Sequence, residues 1–235
     1  SGQGALKLNP TGQHNTASGY GALQSNTTGS DNIAIGMNAL MAPDTEGNNL
    51  AIGYYALSGA INGGEYNVAI GNWSLDANTS GDYNVAVGYD ALTANTTGEG
   101  NVAFGYNSLA ANTTADQNLA IGYSALAVQT SDGGFNTAIG NYSLDANTIG
   151  DKNVALGYNT LSGNSEGSYN VGIGAEALKI NSTGANNTAL GNAAGDVITT
   201  GSNNVVIGSG SDPSAADGSN QIVIGYNTTG KGDNT

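Results

Sequence analysis

Three acidic side chains recur at one spacing and are the first candidate for metal chemistry. Asp82, Glu99 and Asp116 are separated by the period at which the whole chain repeats, so they lie in successive turns, about 5 Å apart. Carboxylate oxygens bind hard cations, although solvated acidic turns produce the same pattern. The nonapeptide repeat of calcium-binding β-rolls is not present. We therefore expect no resident metal or cofactor.

Tyrosines at the same spacing are the candidate for ligand binding. Tyr89, Tyr106 and Tyr123 are also separated by one period each, and a tyrosine offers a flat apolar face with a polar tip. The row is a possible surface ladder for a glycan. The alternative is that stacked tyrosines only stabilise neighbouring turns or a subunit seam.

Threonine pairs suggest a third surface, because ranks of Thr form the flat face of ice-binding solenoids. Few copies keep both residues, as in Thr27–Thr28, Thr96–Thr97 and Thr113–Thr114. They follow Asn in a turn segment rather than lying along a strand. Their hydroxyls are therefore also candidates for local turn bonding.

Catalytic chemistry has little support in the sequence. The chain has no Cys and a single His, His14, and no nucleophile stands beside a base. Acid pairs such as Asp76 and Asp82 have no evident apolar environment that would tune their pKa values. We expect a protein that is not an enzyme and has no catalytic residues.

The charge of the chain restricts its partners. It has 18 acidic and 4 basic residues, for a formal net charge of −14. Binding to phosphate backbones needs clustered Lys and Arg, and Lys7, Lys152, Lys179 and Lys231 are far apart. We expect neither nucleic-acid binding nor membrane insertion by this segment, since no apolar run approaches the length of a membrane span.

The elements that must position these residues come from a repeat of the form Asn-Val-Ala-Ile-Gly. Thirteen copies run from Asn15 to the copy at Gln221; ten of the twelve steps equal that from Asn84 to Asn101, and the other two are longer by a single residue. We number the repeat from this Asn as position 1. Gly at position 5, Leu at position 9 and Asn-Thr-Thr-Gly from position 12 predict a strand, a corner, a second strand and a turn. Such small units must stack in register to bury an apolar face.

Two orientations of the strand are open. The aliphatic residues at positions 2 and 4 share one face and Ala at position 3 lies on the other. We expect the aliphatic face inside, with Ile35, Ile52, Ile70 and Val87 as a buried ladder and Ala facing a partner chain. The alternative is that Ala fits a tight interior and Val and Ile face outwards.

The repeats extend through the whole chain, which we therefore treat as one array. It comprises a partial turn at 1–14, regular turns at 15–208 and atypical turns at 209–235. Four units form a longer super-repeat, present at 49–117 and again at 118–186. The sequence starts inside a turn and its last two residues look like the opening of another copy, so we expect a segment of a longer protein.

The Asn-Val-Ala-Ile-Gly-Tyr-x-Ala-Leu pattern resembles the head repeats of trimeric autotransporter adhesins. It is equally similar to shaft repeats of phage tail fibres that end in an intramolecular chaperone. The resemblance implies an all-β fold, a left-handed parallel β-solenoid (β-roll) of about thirteen turns, and association into a homotrimer. It also implies an extracellular location, on a cell or virion surface.

Two functions follow as expectations. The first is a structural fibre or adhesin shaft that spaces or presents a binding tip, with a host glycan or receptor as a possible partner. The alternative is a ligand-binding module that uses a repeated surface row for a glycan or ice. In the first case, specific binding is expected outside this segment or where the pattern breaks, as at 209–220.

Overall fold

The computed structural model describes residues 2–42, 45–59, 63–131 and 133–234. It confirms the all-β parallel solenoid with one turn for each sequence repeat, and the described residues contain no helix. The chain forms two compact units, 1–117 and 118–235. The second unit begins where the second super-repeat begins.

Each unit contains one parallel strand of three residues per turn. The strands of the first unit are β1 (Thr16–Ser18), β2 (Ile33–Ile35), β3 (Leu50–Ile52), β4 (Val68–Ile70), β5 (Val85–Val87) and β6 (Val102–Phe104). Those of the second unit are β7 (Leu119–Ile121), β8 (Thr137–Ile139), β9 (Val154–Leu156), β10 (Val171–Ile173), β11 (Thr188–Leu190), β12 (Val205–Ile207) and β13 (Ile222–Ile224). Within each unit, consecutive strands pair in register, as in Ala69 opposite Ala86.

The strand orientation is opposite to the expected one. From β2 to β11 every Ala at position 3 is completely buried, whereas the residues at positions 2 and 4 are half-buried or exposed. Ile35, Ile52, Ile70 and Val87 form a ladder on the outside of the coil, so the prediction that they are buried is wrong. The prediction that Ala faces a partner chain is wrong for the same reason, and the alternative orientation is confirmed.

A narrow interior explains this orientation. Ala at position 3 shares the interior with the buried residues at positions 8 and 9, and Leu at position 9 is completely buried. The volumes compensate where the repeat varies: Gly172 replaces Ala at position 3, and a Cβ there would lie 2.7 Å from Cγ2 of Thr160. Because protein interiors are close-packed, Ala fits beside a buried Leu at position 9, and the larger Val206 and Val223 are buried at position 3 only in the last turns, where position 9 is no longer Leu.

The second predicted strand is a turn. Residues at positions 7, 9 and 17 have left-handed backbone conformations, as in Asp90 (φ 52°), Leu92 (φ 53°) and Tyr83 (φ 57°). Such φ values bend the chain and are incompatible with an extended strand. Position 5 is a fourth corner: Gly71 has φ 139°, and a Cβ there would collide with the carbonyl oxygen of Gly88 in the next turn. Only Gly fits this position.

Two buried ladders of Asn side chains hold the turns together. At position 1, Oδ1 of Asn67 accepts the backbone N–H of Asn84 over 2.9 Å, and Nδ2 of Asn67 donates to the carbonyl of Gly81 over 2.9 Å. At position 12, Nδ2 of Asn95 donates to Oδ1 of Asn78 over 2.9 Å. The Asn side chains of both ladders are buried. They hydrogen-bond to buried backbone and side-chain groups that would otherwise have no partner in the interior.

Candidate functional site

The outward face of the strands is an apolar surface that recurs from turn to turn. It consists of the side chains at positions 2 and 4, which we call the aliphatic face. Large side chains remain exposed there in both units, for example 55% of Phe104 in the first and 46% of Leu190 in the second. Exposed apolar faces of this kind mark interaction surfaces.

The aliphatic face carries no charge. Among its 26 positions in the thirteen strands, none is Asp, Glu, Lys, Arg or His. Four are polar: Thr16, Ser18, Thr137 and Thr188. The chain has a net charge of −14, but this strip has no charged side chain. Apolar contacts made through it therefore bring no like charges together.

The tyrosine row is divided between the two units. In the first unit the rings of Tyr89 and Tyr106 are stacked, with centroids 5.4 Å apart and an interplanar angle of 6°. Burial, and then the neighbouring Asp90 carboxylate, raise the pKa of Tyr89. In the second unit Tyr123 contacts Tyr142 edge to face at 5.3 Å. The rings therefore stabilise one another, and each row also leaves aromatic surface exposed.

The acidic column forms backbone hydrogen bonds. The backbone N–H of Glu65 donates to Oδ1 of Asp82 over 2.7 Å, and that of Glu99 donates to Oδ1 of Asp116 over 2.8 Å. Ser202 accepts the N–H of Ala185 at the same position of later turns. Asp and Ser at position 16 thus share one role, which is to bind the backbone of the preceding turn.

Metal and catalytic candidates are few. No three His, Asp or Glu side chains are grouped to hold a metal ion within the described ranges. Nδ1 of His14 lies 3.2 Å from Oδ1 of Asp31, and both side chains are exposed. Burial raises the pKa of Asp76, and the hydrogen bond that its carboxyl accepts from Thr93 partly opposes this rise.

Threonine hydroxyls at position 13 bond to the next turn. Oγ1 of Thr79 donates to the carbonyl of Thr96 over 2.9 Å, and Oγ1 of Thr96 donates to the carbonyl of Thr113 over 3.0 Å. Both residues are half-buried. These hydroxyls serve the stacking of turns, whereas the second Thr of each pair, such as Thr97, is exposed.

Sequence reasoning missed an aromatic groove in the second unit. Tyr142, Asp145, Tyr158 and Lys179 line it together with Asn159 and Ser162. These residues come from three successive turns: Tyr142 and Asn159 share position 7 of the repeat, and Asp145, Ser162 and Lys179 share position 10. The available sequence signals are these two columns and the near-copy of residues 72–82 at 141–151, which repeats Asp76 as Asp145.

Comparisons with known proteins do not assign a family. No profile of a known protein family matches the chain, and no curated protein matches it significantly. In the part of the chain that the structure describes, no helix has the length and apolar character to cross a membrane.

Proposed function

We propose that this chain is a structural fibre segment, the shaft of an adhesin or tail fibre on a cell or virion surface, which spaces or presents a binding tip. The observation that carries the proposal is the aliphatic face, an uncharged strip that recurs in every turn of both units. A left-handed winding and an assembly of three chains are what the resemblance to adhesin and tail-fibre repeats implies.

A second copy of the same chain is the partner that best fits the aliphatic face. Its apolar side chains recur at the spacing of parallel strands, about 4.8 Å. A partner that covers several turns must present apolar groups at the same spacing, and another copy does so in parallel register. Three copies around one axis form a closed ring with identical interfaces, which removes the aliphatic face of each from water.

Sedimentation equilibrium of the whole chain tests the proposal. We expect a mass of three times 23.2 kDa. Ile52, Ile70 and Val87 form one in-register column of the aliphatic face, and replacing all three by Ser should yield a folded monomer. The matched control replaces Tyr66, Tyr83 and Tyr89, which are exposed elsewhere on the same turns, and should remain a trimer.

Two results would oppose the proposal. One is a wild-type chain that sediments as a folded monomer at all concentrations. The other is a triple Ser variant that keeps the wild-type mass, because the trimer would then use a different surface. Ice binding remains a prediction. The hydroxyls at position 13 are hydrogen-bonded within the coil, so only the exposed second Thr of each pair is available to contact ice.

A further inference from the structure

The aromatic groove of the second unit combines an open cavity with a buried carboxyl oxygen that has no hydrogen-bond partner. The cavity measures about 530 Å³, within the range of small-ligand sites. The aromatic rings of Tyr142 and Tyr158 form part of its wall and meet edge to face, with centroids 6.3 Å apart. Tyr158 is 51% exposed and Tyr142 is 37% exposed, so both offer ring surface to a ligand.

The polar groups of the groove include both hydrogen-bond acceptors and donors. Asp145 contributes a carboxyl whose Oδ1 is buried and has no protein partner, and burial raises the pKa of this group. Asn159 contributes an amide, and Lys179 contributes an ammonium group that also pairs with Glu176 at 3.1 Å. Because this oxygen is buried, a ligand hydroxyl can donate to it only after the Asp145 side chain moves towards the groove.

The first unit contains a near-copy of this groove that is satisfied internally. Trp73, Asp76, Tyr89 and Thr93 occupy the places in the first super-repeat that Tyr142, Asp145, Tyr158 and Ser162 occupy in the second. Oγ1 of Thr93 donates to Oδ1 of Asp76 over 2.6 Å. Ser162 instead donates to the carbonyl of Lys179 over 3.4 Å, and Asp145 is left without that donor. The two copies thus differ in whether a side-chain hydroxyl already donates a hydrogen bond to the carboxyl.

A second difference is the charge beside the carboxyl. Asp90 stands near Asp76 in the first unit, where burial and the Asp76 carboxylate raise the pKa of Asp90. Asn159 takes its place in the second unit, and Lys179 replaces Ala110. With Glu176 counted, each groove has two carboxyl groups, but Lys179 makes the net charge of the second less negative and adds hydrogen-bond donors.

We propose that the groove lined by Tyr142, Asp145 and Tyr158 binds a neutral sugar, such as a hexose unit of an uncharged oligosaccharide. The aromatic rings contact the C–H face of the pyranose. Hydroxyls of the sugar donate to Asp145 and accept from Asn159 and Lys179. A neutral sugar is favoured over an acidic one because the chain carries a net charge of −14 and the groove contains a carboxyl. The site lies on one chain and does not depend on the proposed assembly.

Saturation-transfer NMR of the whole chain, with gluco-, galacto- and manno-oligosaccharides and a sialylated trisaccharide as probes, tests this assignment. We expect at least one neutral oligosaccharide to bind. Tyr158→Ala should abolish its binding. Ser162→Thr should weaken binding by about tenfold, equivalent to one hydrogen bond of about 1.4 kcal/mol, because a β-branched Thr has restricted rotamers and would occupy Asp145 as Thr93 occupies Asp76.

The near-copy supplies the matched control. Tyr89→Ala removes the corresponding ring of the first unit and should leave sugar binding unchanged. Ser162→Thr is conservative and keeps the fold, so it remains informative if Tyr158→Ala does not fold. Failure of every neutral probe to bind, wild-type binding by Ser162→Thr, or tighter binding of the sialylated probe would each overturn the proposal. Sedimentation of the same samples reports the oligomeric state separately.

Discussion

At the scale of single residues, buried Asn amides take the role that apolar side chains have in thicker cores. Asn at position 12 both donates to and accepts from its counterparts in adjacent turns, and it donates to the carbonyl three residues later within its own turn. The ladder ends where the sequence changes: Oδ1 of Asn181 is buried without a partner, and Ile198 occupies position 12 of the following turn. Only a repeated amide satisfies its own copy above and below.

Removing one amide should therefore affect two neighbouring turns. In Asn95→Ala, Oδ1 of Asn78, the carbonyl of Gly98 and Nδ2 of Asn112 each lose a hydrogen bond. At about 1–3 kcal/mol for each buried group left without any partner, we expect the free energy of unfolding to fall by about 2 kcal/mol or more. Urea unfolding measures this change. Thr97→Ala, at an exposed position two residues away, is the control, and equal effects of both substitutions would contradict the structural role of the ladder.

At the scale of one turn, the fold is a short strand closed by left-handed corners. Leu at position 9 is the least expected of these, because a left-handed conformation costs a non-glycine residue about 1–2 kcal/mol. Complete burial of the Leu side chain contributes about 1.5–3 kcal/mol, which offsets that cost. The strand contributes Ala to this narrow interior and turns its aliphatic side chains outwards.

Substitutions at two adjacent residues of β4 should therefore differ in how strongly they destabilise the protein. Ala69 is completely buried and Ile70 is half-exposed on the aliphatic face. Ala69→Leu should reduce the free energy of unfolding by about 1–3 kcal/mol or more through overpacking. Ile70→Ser should change it by less than about 1 kcal/mol when the protein is dilute enough to be monomeric. If thermal unfolding shows that Ile70→Ser destabilises the protein more than Ala69→Leu does, the assigned orientation of the strand is wrong.

At the scale of the whole molecule, the super-repeat of four turns is the natural unit of change in length. In a stacked array each turn contacts mainly its neighbours, so stability is close to a sum over turns. Residues 49–117 and 118–186 each comprise four complete turns, and both are followed by an Asn at position 1. Removal of either set keeps every later residue at its position in the repeat.

Deletion of either super-repeat should yield a folded, shorter protein. A deletion of 49–109, which ends in the middle of a turn, should not fold cooperatively, because it places polar corner residues at interior positions. Circular dichroism with thermal unfolding distinguishes these outcomes. If the aromatic groove is the sugar site, removal of 118–186 abolishes sugar binding and removal of 49–117 does not. An out-of-register deletion that unfolds as cooperatively as the in-register ones would contradict the view that each turn is stabilised mainly by its neighbours.

The sequence by itself determined the repeat, the parallel in-register stacking and the glycine corner, because these depend only on period and on backbone restrictions of single residues. It did not determine which face of the strand is inside. Alternation places Ala69 and Ile70 on opposite faces but leaves their direction open, and general hydrophobicity favours the wrong choice. The width of the interior decides it, and that width follows from left-handed corners at positions 7, 9 and 17 that propensity does not predict. The groove around Asp145 likewise required the tertiary structure, since its residues come from three turns and only their packing shows which carboxyl oxygen has no hydrogen-bond partner.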